Sequence, residues 1–143
     1  MAITSAICNS FKQEILEAEH NFTASTGDTF NLALYDSDAV LSKSTTAYTT
    51  SEELATTGGY TAKGKALTSV TPVLDSDTAV CDFANVSWTS ASFTARGCLI
   101  FNDDNSDTSV CAIDFGGDKT VTSGTFTIEF PAAAASTAII QIA

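Results

Sequence analysis

Basic residues are scarce in this chain. It has 6 Lys+Arg against 17 Asp+Glu over 143 residues, a formal net charge of -11, and Arg96 is its sole arginine. Phosphate backbones and anionic membrane surfaces are bound through clusters of Lys and Arg. No such cluster exists, so a nucleic-acid or membrane partner is not expected. Charge of either sign is low, at 16% of residues, below the usual globular share. The polar surface must therefore come from Thr and Ser, which suit strands and turns better than helix interiors.

Other absences narrow the reading. No apolar run approaches the roughly 18 residues that span a bilayer. The start, Met1 to Lys12, has neither a basic leader nor a long apolar stretch, so it does not read as a signal peptide, and synthesis in a reducing cytoplasm is expected. Cys8, Cys81, Cys98 and Cys111 form no C-x-x-C pair, and the single histidine, His20, is distant from them in sequence. That argues against a zinc site and for buried thiols. There is no nucleophile elbow and no glycine-rich phosphate loop between a strand and a helix. His20 falls at the end of a predicted helix, where the dipole stabilises a cation. Asp36/Asp38 and Asp75/Asp77 sit in turn sequences, where short acidic side chains bond their own backbone. Catalysis is not expected, and no cofactor is implied.

What is present is mostly strand. The chain is long enough for one domain with a core of its own, and hydrophobic residues make up 44% of it. Phe93, Ala95, Gly97, Leu99 and Phe101 share one parity, with Cys98 and Ile100 making the other side apolar too. Val110 to Phe115 is apolar except for Asp114, and Phe126, Ile128 and Phe130 alternate with Thr127 and Glu129. Ser92 to Phe130 thus reads as a three-stranded antiparallel meander. Thr29 to Tyr35 reads as a strand. Tyr60 to Leu74 gives one or two strands, broken near Lys63–Lys65 and at Pro72, where a proline suggests an edge strand. Thr78 to Trp88 mixes periods, which predicts a bulge or break near Asn85, and Thr137 to Ile142 closes the chain. Thr49 to Leu54 offers a short turn of helix.

One longer helix is predicted. Over residues 4–20, with Thr4 or Ser5 as N-cap, the residues Ile7, Cys8, Phe11, Ile15 and Leu16 form an apolar stripe. It either docks on a partner or lies on the domain's own sheet; the second is the commoner use of such a stripe. The expected architecture is one mainly β domain over 1–143, an antiparallel β-sandwich or jelly-roll-like barrel with one short N-terminal helix and a β-rich body over 28–143.

Three constellations remain. Asp103, Asn105 and Asp107 alternate like the oxygen ligands of a calcium loop, but Thr108 stands where such a loop needs glycine, and Asp114 falls in a predicted strand. A solvated hairpin loop is the stronger reading, and no metal is assigned. Cys98 and Cys111 could lie opposite one another across that hairpin, as a disulfide or as packed thiols, the latter favoured in a reducing compartment. Arg96 could pair with Asp114 on the adjacent strand.

Certain runs resemble a known family. They are Met1 to Lys12, the strand Thr94-Ala95-Arg96-Gly97-Cys98-Leu99-Ile100-Phe101-Asn102, the turn Ile113-Asp114-Phe115-Gly116-Gly117-Asp118-Lys119, and the endings Phe126-Thr127-Ile128-Glu129-Phe130-Pro131 and Ala138-Ile139-Ile140-Gln141-Ile142. Together they are similar to a family of small virion structural proteins of tailed bacteriophages, common in aquatic phages. The similarity covers nearly the whole chain and is least distinctive over about Ala39 to Ser76. It implies a virion protein made in the host cytoplasm, with capsid decoration or cementing as the leading role and a tail, collar or fibre component as the alternative. The implied partners are the major capsid protein and further copies of the chain, as a dimer or trimer. The expected contact regions are the apolar N-terminus, with Ile3, Ile7 and Phe11, and the neutral loop Ser42 to Gly59, with Tyr48 and Leu54, since such surfaces approach another acidic protein without repulsion.

Overall fold

The computed structural model describes residues 2–143. It is mainly β, with two antiparallel sheets and one short helix, as a β-sandwich requires. The larger sheet has the order β1-β7-β6-β2-β3, formed by Ala6–Ile7, Thr108–Ile128, Val86–Asn102, Phe30–Tyr35 and Lys65–Ala66 respectively. The smaller has the order β4-β5-β8, formed by Ser69–Asp75, Thr78–Phe83 and Ile140–Ile142. Among the described residues no helix is long and apolar enough to cross a membrane.

The predicted meander is in fact one long hairpin. β6 and β7 pair from Asn102↔Thr108 beside the hairpin loop out to Val86↔Ile128. The Gly116-Gly117 stretch is therefore not a turn between two strands. It is a large bulge within β7, where the register moves from Gly97↔Asp114 to Ala95↔Lys119. Gly116 supplies the positive φ of 79° that this irregularity needs. Further shifts follow near Ser90 and Ser123, at φ 48° and 46°. They bend the distal half of the hairpin, Val86–Ala95 with Lys119–Ile128, into a curved ribbon.

The central sheet is buried on both faces, which explains the two-sided hydrophobicity of Cys98 to Phe101. Leu32, Leu34, Cys98, Ile100 and Val110 join the principal core with Phe30, Phe83 and Trp88. The alternate residues Ala33, Tyr35, Leu99, Phe101 and Ala112 join a second core with Ile3, Ala39 and Leu41. The second face is thus covered by the N-terminal residues and by the chain that follows β2. Thr4 N–H donates to Leu41 O at 2.8 Å, and Tyr48 N–H to Asp107 O at 2.9 Å.

The N-terminal helix is shorter than predicted. α1 spans Asn9–Leu16, with Cys8 at its N-cap making no side-chain cap bond. Ser5 does not cap it, because Ser5 Oγ accepts a bond from the Asp114 N–H at 2.8 Å. Ala6 and Ile7 pair with Ala112 and Cys111 as β1. The open backbone of β7 thus recruits the first turn of the predicted helix as a strand, a tertiary gain that local propensity cannot register. Ala18, at φ 61°, ends the helical run. Phe11 faces the principal core, so the helix lies on its own sheet. Thr49 to Leu54 forms turns and a bridge, with no helix.

Pro72 lies in β4, an edge strand, at a register shift between Val70 and Val73 where its missing N–H breaks no ladder bond. The break expected near Asn85 separates β5 from β6. All four cysteines are free and buried. The register sets Cys98 against Ile113 and Cys111 against Ile100, so the two thiols are offset rather than opposed. Burial pushes every thiol up, Cys81 and Cys111 to about 12 and Cys98 well above its ordinary range. Two consequences follow. A thiol reagent at pH 8 should find no reactive group in the folded chain and four after unfolding in urea. Because the folded pKa values lie above the ordinary value of 9.0, the stability these thiols contribute is complete below that pH. It is lost as pH rises from there toward about 12, and a denaturant midpoint measured against pH should fall across that window.

Candidate docking surface

Most polar and titratable groups singled out in the sequence are consumed in holding the fold. His20 is buried beneath α1, between Phe11 and Phe22. Its Nδ1 lies 3.1 Å from Asn102 Nδ2 and its Nε2 lies 2.7 Å from Glu14 Oε2. The orientation of Asn102 is fixed by its neighbours. Nδ2 also faces Asp28 Oδ2 at 2.8 Å, while Oδ1 accepts from the Asp104 N–H at 3.1 Å. An amide nitrogen only donates, so His20 Nδ1 accepts and Nε2–H donates to Glu14. Both ring nitrogens are therefore engaged within the structure.

The calcium-like loop already has a cation of its own. Lys63 Nζ stands 3.0 Å from Asp103 and 2.9 Å from Asp107, over the rings of Tyr48 and Phe101. These carboxylates raise the Lys63 pKa by hydrogen bonding. Asn105 turns away to Glu19, its Nδ2 donating to both the backbone oxygen and Oε2. An ammonium between two of the three ligands, with the third occupied elsewhere, leaves no calcium cage. Millimolar calcium should leave the melting temperature of the wild type unchanged. Lys63→Met should cost less than about 1 kcal/mol, because the pair is partly exposed and screened, and its effect should shrink in high salt. Both are read by thermal melts.

Lys63 also closes a second network. Its backbone N–H donates to Glu53 Oε1 at 2.7 Å, and that carboxylate accepts from Tyr60 Oη at 2.7 Å and Tyr48 Oη at 2.5 Å. Burial, with the Glu53 carboxylate beside it, pushes the Tyr48 phenol up to about 12. Tyr60 Oη also accepts from the Leu34 N–H at 3.0 Å, tying the loop to β2. Arg96 pairs with Asp114 as the sequence suggests, Nε to Oδ1 at 3.0 Å, and holds the Asp114 carboxyl below its usual range. At the end of β2, the carboxylates of Asp36, Asp38 and Glu52 lie within 4.8 Å of one another. Asp36 Oδ1 accepts from the Asp38 N–H at 2.9 Å, the bond of an Asx turn.

The residues of the expected contact regions are packed as follows. Ile3 and Phe11 are each 4% exposed and belong to the two cores. Ile7, Tyr48 and Leu54 are half-buried, packed against the same cores. Ile7, Phe11 and Leu54 pack against the principal core, and Ile3 and Tyr48 help cover the second sheet face. The latter two cover it because Leu99, Phe101 and Tyr35 would otherwise meet water.

A different surface is open. β1 pairs with β7 only at Cys111 and Ala112. Among the described residues, the outer backbone edge of β7 beyond Asp114 bonds to no other strand. Beside this edge runs an apolar groove of about 650 Å³, between the inner face of the ribbon and the C-terminal segment. Phe115, Val121, Phe126, Ile128, Phe130 and Ile139 line it, all half-buried. Neither Val86–Ala95 nor Thr120–Ile128 contains a charged residue. On a chain of net charge -11, the ribbon is a neutral zone with unpaired backbone along one side. The sequence held the signal, an unbroken Thr/Ser/apolar run, but the edge emerges only once β1 is seen to stop at Ala112.

Compared with known protein families, curated protein sequences and solved structures, the chain matches none.

Proposed function

We propose that this chain is a structural protein of a tailed-bacteriophage virion, and that it cements contacts on the capsid. The reading is supported by the resemblance of the Thr94–Asn102 strand, the Ile113–Lys119 segment and the two C-terminal runs to small virion proteins. The observation that carries it in the fold is the β6–β7 ribbon: long, free of charge over Thr120–Ile128, open along one edge and flanked by an apolar groove. Exposed edges invite pairing, and chains that work alone blunt them with Lys, Pro or short strands. β4 carries such a device in Pro72, and β8 is only three residues long. β7 has neither proline nor lysine over Thr120–Ile128, and its one irregularity, at Ser123, leaves a straight run on either side. A surface of this kind serves assembly by strand addition. The histidine, the thiols and the Glu53 carboxylate are each committed to the fold, which favours a structural over a catalytic role.

In this reading the partners are the major capsid protein and copies of the chain itself. Nucleic acid and membrane play no part. Quantitative mass spectrometry of purified particles tests it. A whole-number or simple fractional ratio to the major capsid protein is the expected result for a shell cement. A ratio of a few per cent would move the chain to the tail, collar or fibre. Absence from the particle would overturn the virion role and leave the groove as a binding site of a free domain.

A further inference from the structure

We propose that the open β7 edges of two copies pair with each other, antiparallel, about a two-fold axis at Ser123–Gly124. The inference rests on the functional reading only in taking this edge as the docking surface, and it adds the occupant: a second copy of the same chain.

The argument comes from the order of side chains along the edge. A two-fold antiparallel pair is self-complementary, so whatever lies a given distance before the axis meets what lies the same distance after it. With the axis between Ser123 and Gly124, Thr122 meets Thr125 of the copy, Val121 meets Phe126, Thr120 meets Thr127, and Lys119 meets Ile128. Residues directly opposed in an antiparallel pair must share a face. They do. Thr120, Thr122, Thr125 and Thr127 are exposed, whereas Val121, Phe126 and Ile128 are half-buried against the principal core; Lys119, Thr120, Thr125 and Thr127 form part of the groove's rim. A plain alternation would put Val121 and Phe126, five residues apart, on opposite faces. The bulge at Ser123, φ 46°, inserts the extra residue that brings them onto the same one.

The occupant follows from charge as well. Two chains of net charge -11 repel over most of their surfaces, but the segment that would be shared, Thr120–Ile128, carries no charge. At the ends of the register Asp118 lies across from Glu129 of the copy. Lys119 is one residue inward, and Arg96 Nη1 already lies 3.8 Å from Asp118. The remaining edges do not compete: β3 has two residues, β8 three, and β4 is interrupted by Pro72 and its bulge. Because Ser123 N–H is held by Ser92 Oγ at 2.9 Å on the β6 side, pairing falls into two straight blocks, 119–122 and 125–128, on either side of the axis. Pairing would close the groove of each copy against Val121 and Phe126 of the other, with Thr–Thr pairs on the outer face.

The test uses the purified full chain. Analytical ultracentrifugation at micromolar concentration should find the wild type as a dimer. The double variant Thr122→Lys/Thr125→Lys sets lysines against lysines across the axis at exposed positions. It should sediment as a monomer with an unchanged far-ultraviolet circular dichroism spectrum and a melting temperature that no longer depends on protein concentration. For register, Thr122→Cys and Thr125→Cys are made separately. Mixed under oxidising conditions they should yield a disulfide dimer on a non-reducing gel, while either alone should not, since each meets a threonine; the four native thiols are buried. A monomeric wild type, or a double variant that stays dimeric, would overturn the proposal, as would cross-linking of the single variants as strong as that of the mixture. A wild-type dimer missing from particles would refute the virion role and leave the pairing intact. A particle-borne chain that is monomeric in solution would do the reverse.

Discussion

Gly64→Ala should abolish or nearly abolish folding, with a loss of more than about 4 kcal/mol. Two penalties act together. Gly64 has φ +68°, a region where a side chain costs about 1–2 kcal/mol. A Cβ there would also stand 1.8 Å from Leu32 O and 2.9 Å from Ala33 Cα, both backbone atoms of β2. β2 is fixed between β6 and β3 and buried on both faces, so it cannot yield. The turn would have to move instead. That would pull Lys63 N–H from Glu53, Lys63 Nζ from the hairpin loop, and β3 from Asn31 and Leu32. Gly116→Ala is the control: its φ is +79° but no atom lies within 4 Å of the added Cβ, so only the conformational cost of about 1 kcal/mol should appear. Gly117→Ala, equally open and without positive φ, should be close to neutral. Urea midpoints of the three variants check the order, and a Gly64→Ala chain as stable as Gly116→Ala would refute the backbone clash.

Asn102→Ala should cost about 2–4 kcal/mol, and Asn102→Asp more. Asn102 is fully buried at the core-facing end of β6. Truncation leaves His20 Nδ1, Asp28 Oδ2 and the Asp104 N–H each short of a partner. An unmet buried polar group costs more than the net worth of the bond it has lost. The aspartate is worse because its second oxygen would replace a donor and face Asp28 Oδ2 at the position now held by Nδ2, placing two carboxylates in contact. The effect should reach beyond the loop. Asn102 joins the end of β6 to the His20 segment and to the turn at Asp28, which itself accepts from the Asn21 N–H at 2.8 Å. Thermal melts give the magnitude. Hydrogen exchange should show protection lost in residues 19–30 as well as in the hairpin loop, and a variant that loosens the loop alone would contradict the network.

The two cases differ in how far the sequence announces them. Lys63-Gly64-Lys65 reads as a break between two strands of the Tyr60–Leu74 stretch; in the fold Tyr60 to Gly64 is a turn leading into β3, and the strand break falls at Leu67-Thr68. That Gly64 lies against the backbone of β2 is a long-range fact which no local window contains. Asn102 opens a run of Asp and Asn that reads as a solvated loop, and from Asp103 onward it is one. Asn102 nonetheless shares the inward parity of Cys98 and Ile100, a hint in period two that the polar run masks. The same holds for the contact regions. Ile7 and Phe11 belong to the predicted apolar stripe and Ile3 to the expected contact end, but only the fold shows that all three pack against the chain's own cores.

By itself the sequence determined the class of this protein. Period-two patterning, Thr and Ser in place of charge, turn chemistry at Asp36–Asp38 and Asp75–Asp77, and the Pro72 edge all constrain the backbone within a few residues of themselves. Such local constraints are enough for a mainly β sandwich and for several of its strands, and they leave Arg96 and Asp114 as a candidate pair that the hairpin register brings together. Tertiary structure alone decided which edges are filled and which stay open. Ala6 and Ile7 leave the predicted helix to pair with β7, Lys63 takes the place of a metal between Asp103 and Asp107, and β7 runs on past Asp114 with no neighbour. The reason is that a strand's second edge, like a carboxylate's counter-ion, is supplied by residues distant in sequence, and only the closed fold fixes which of them arrive.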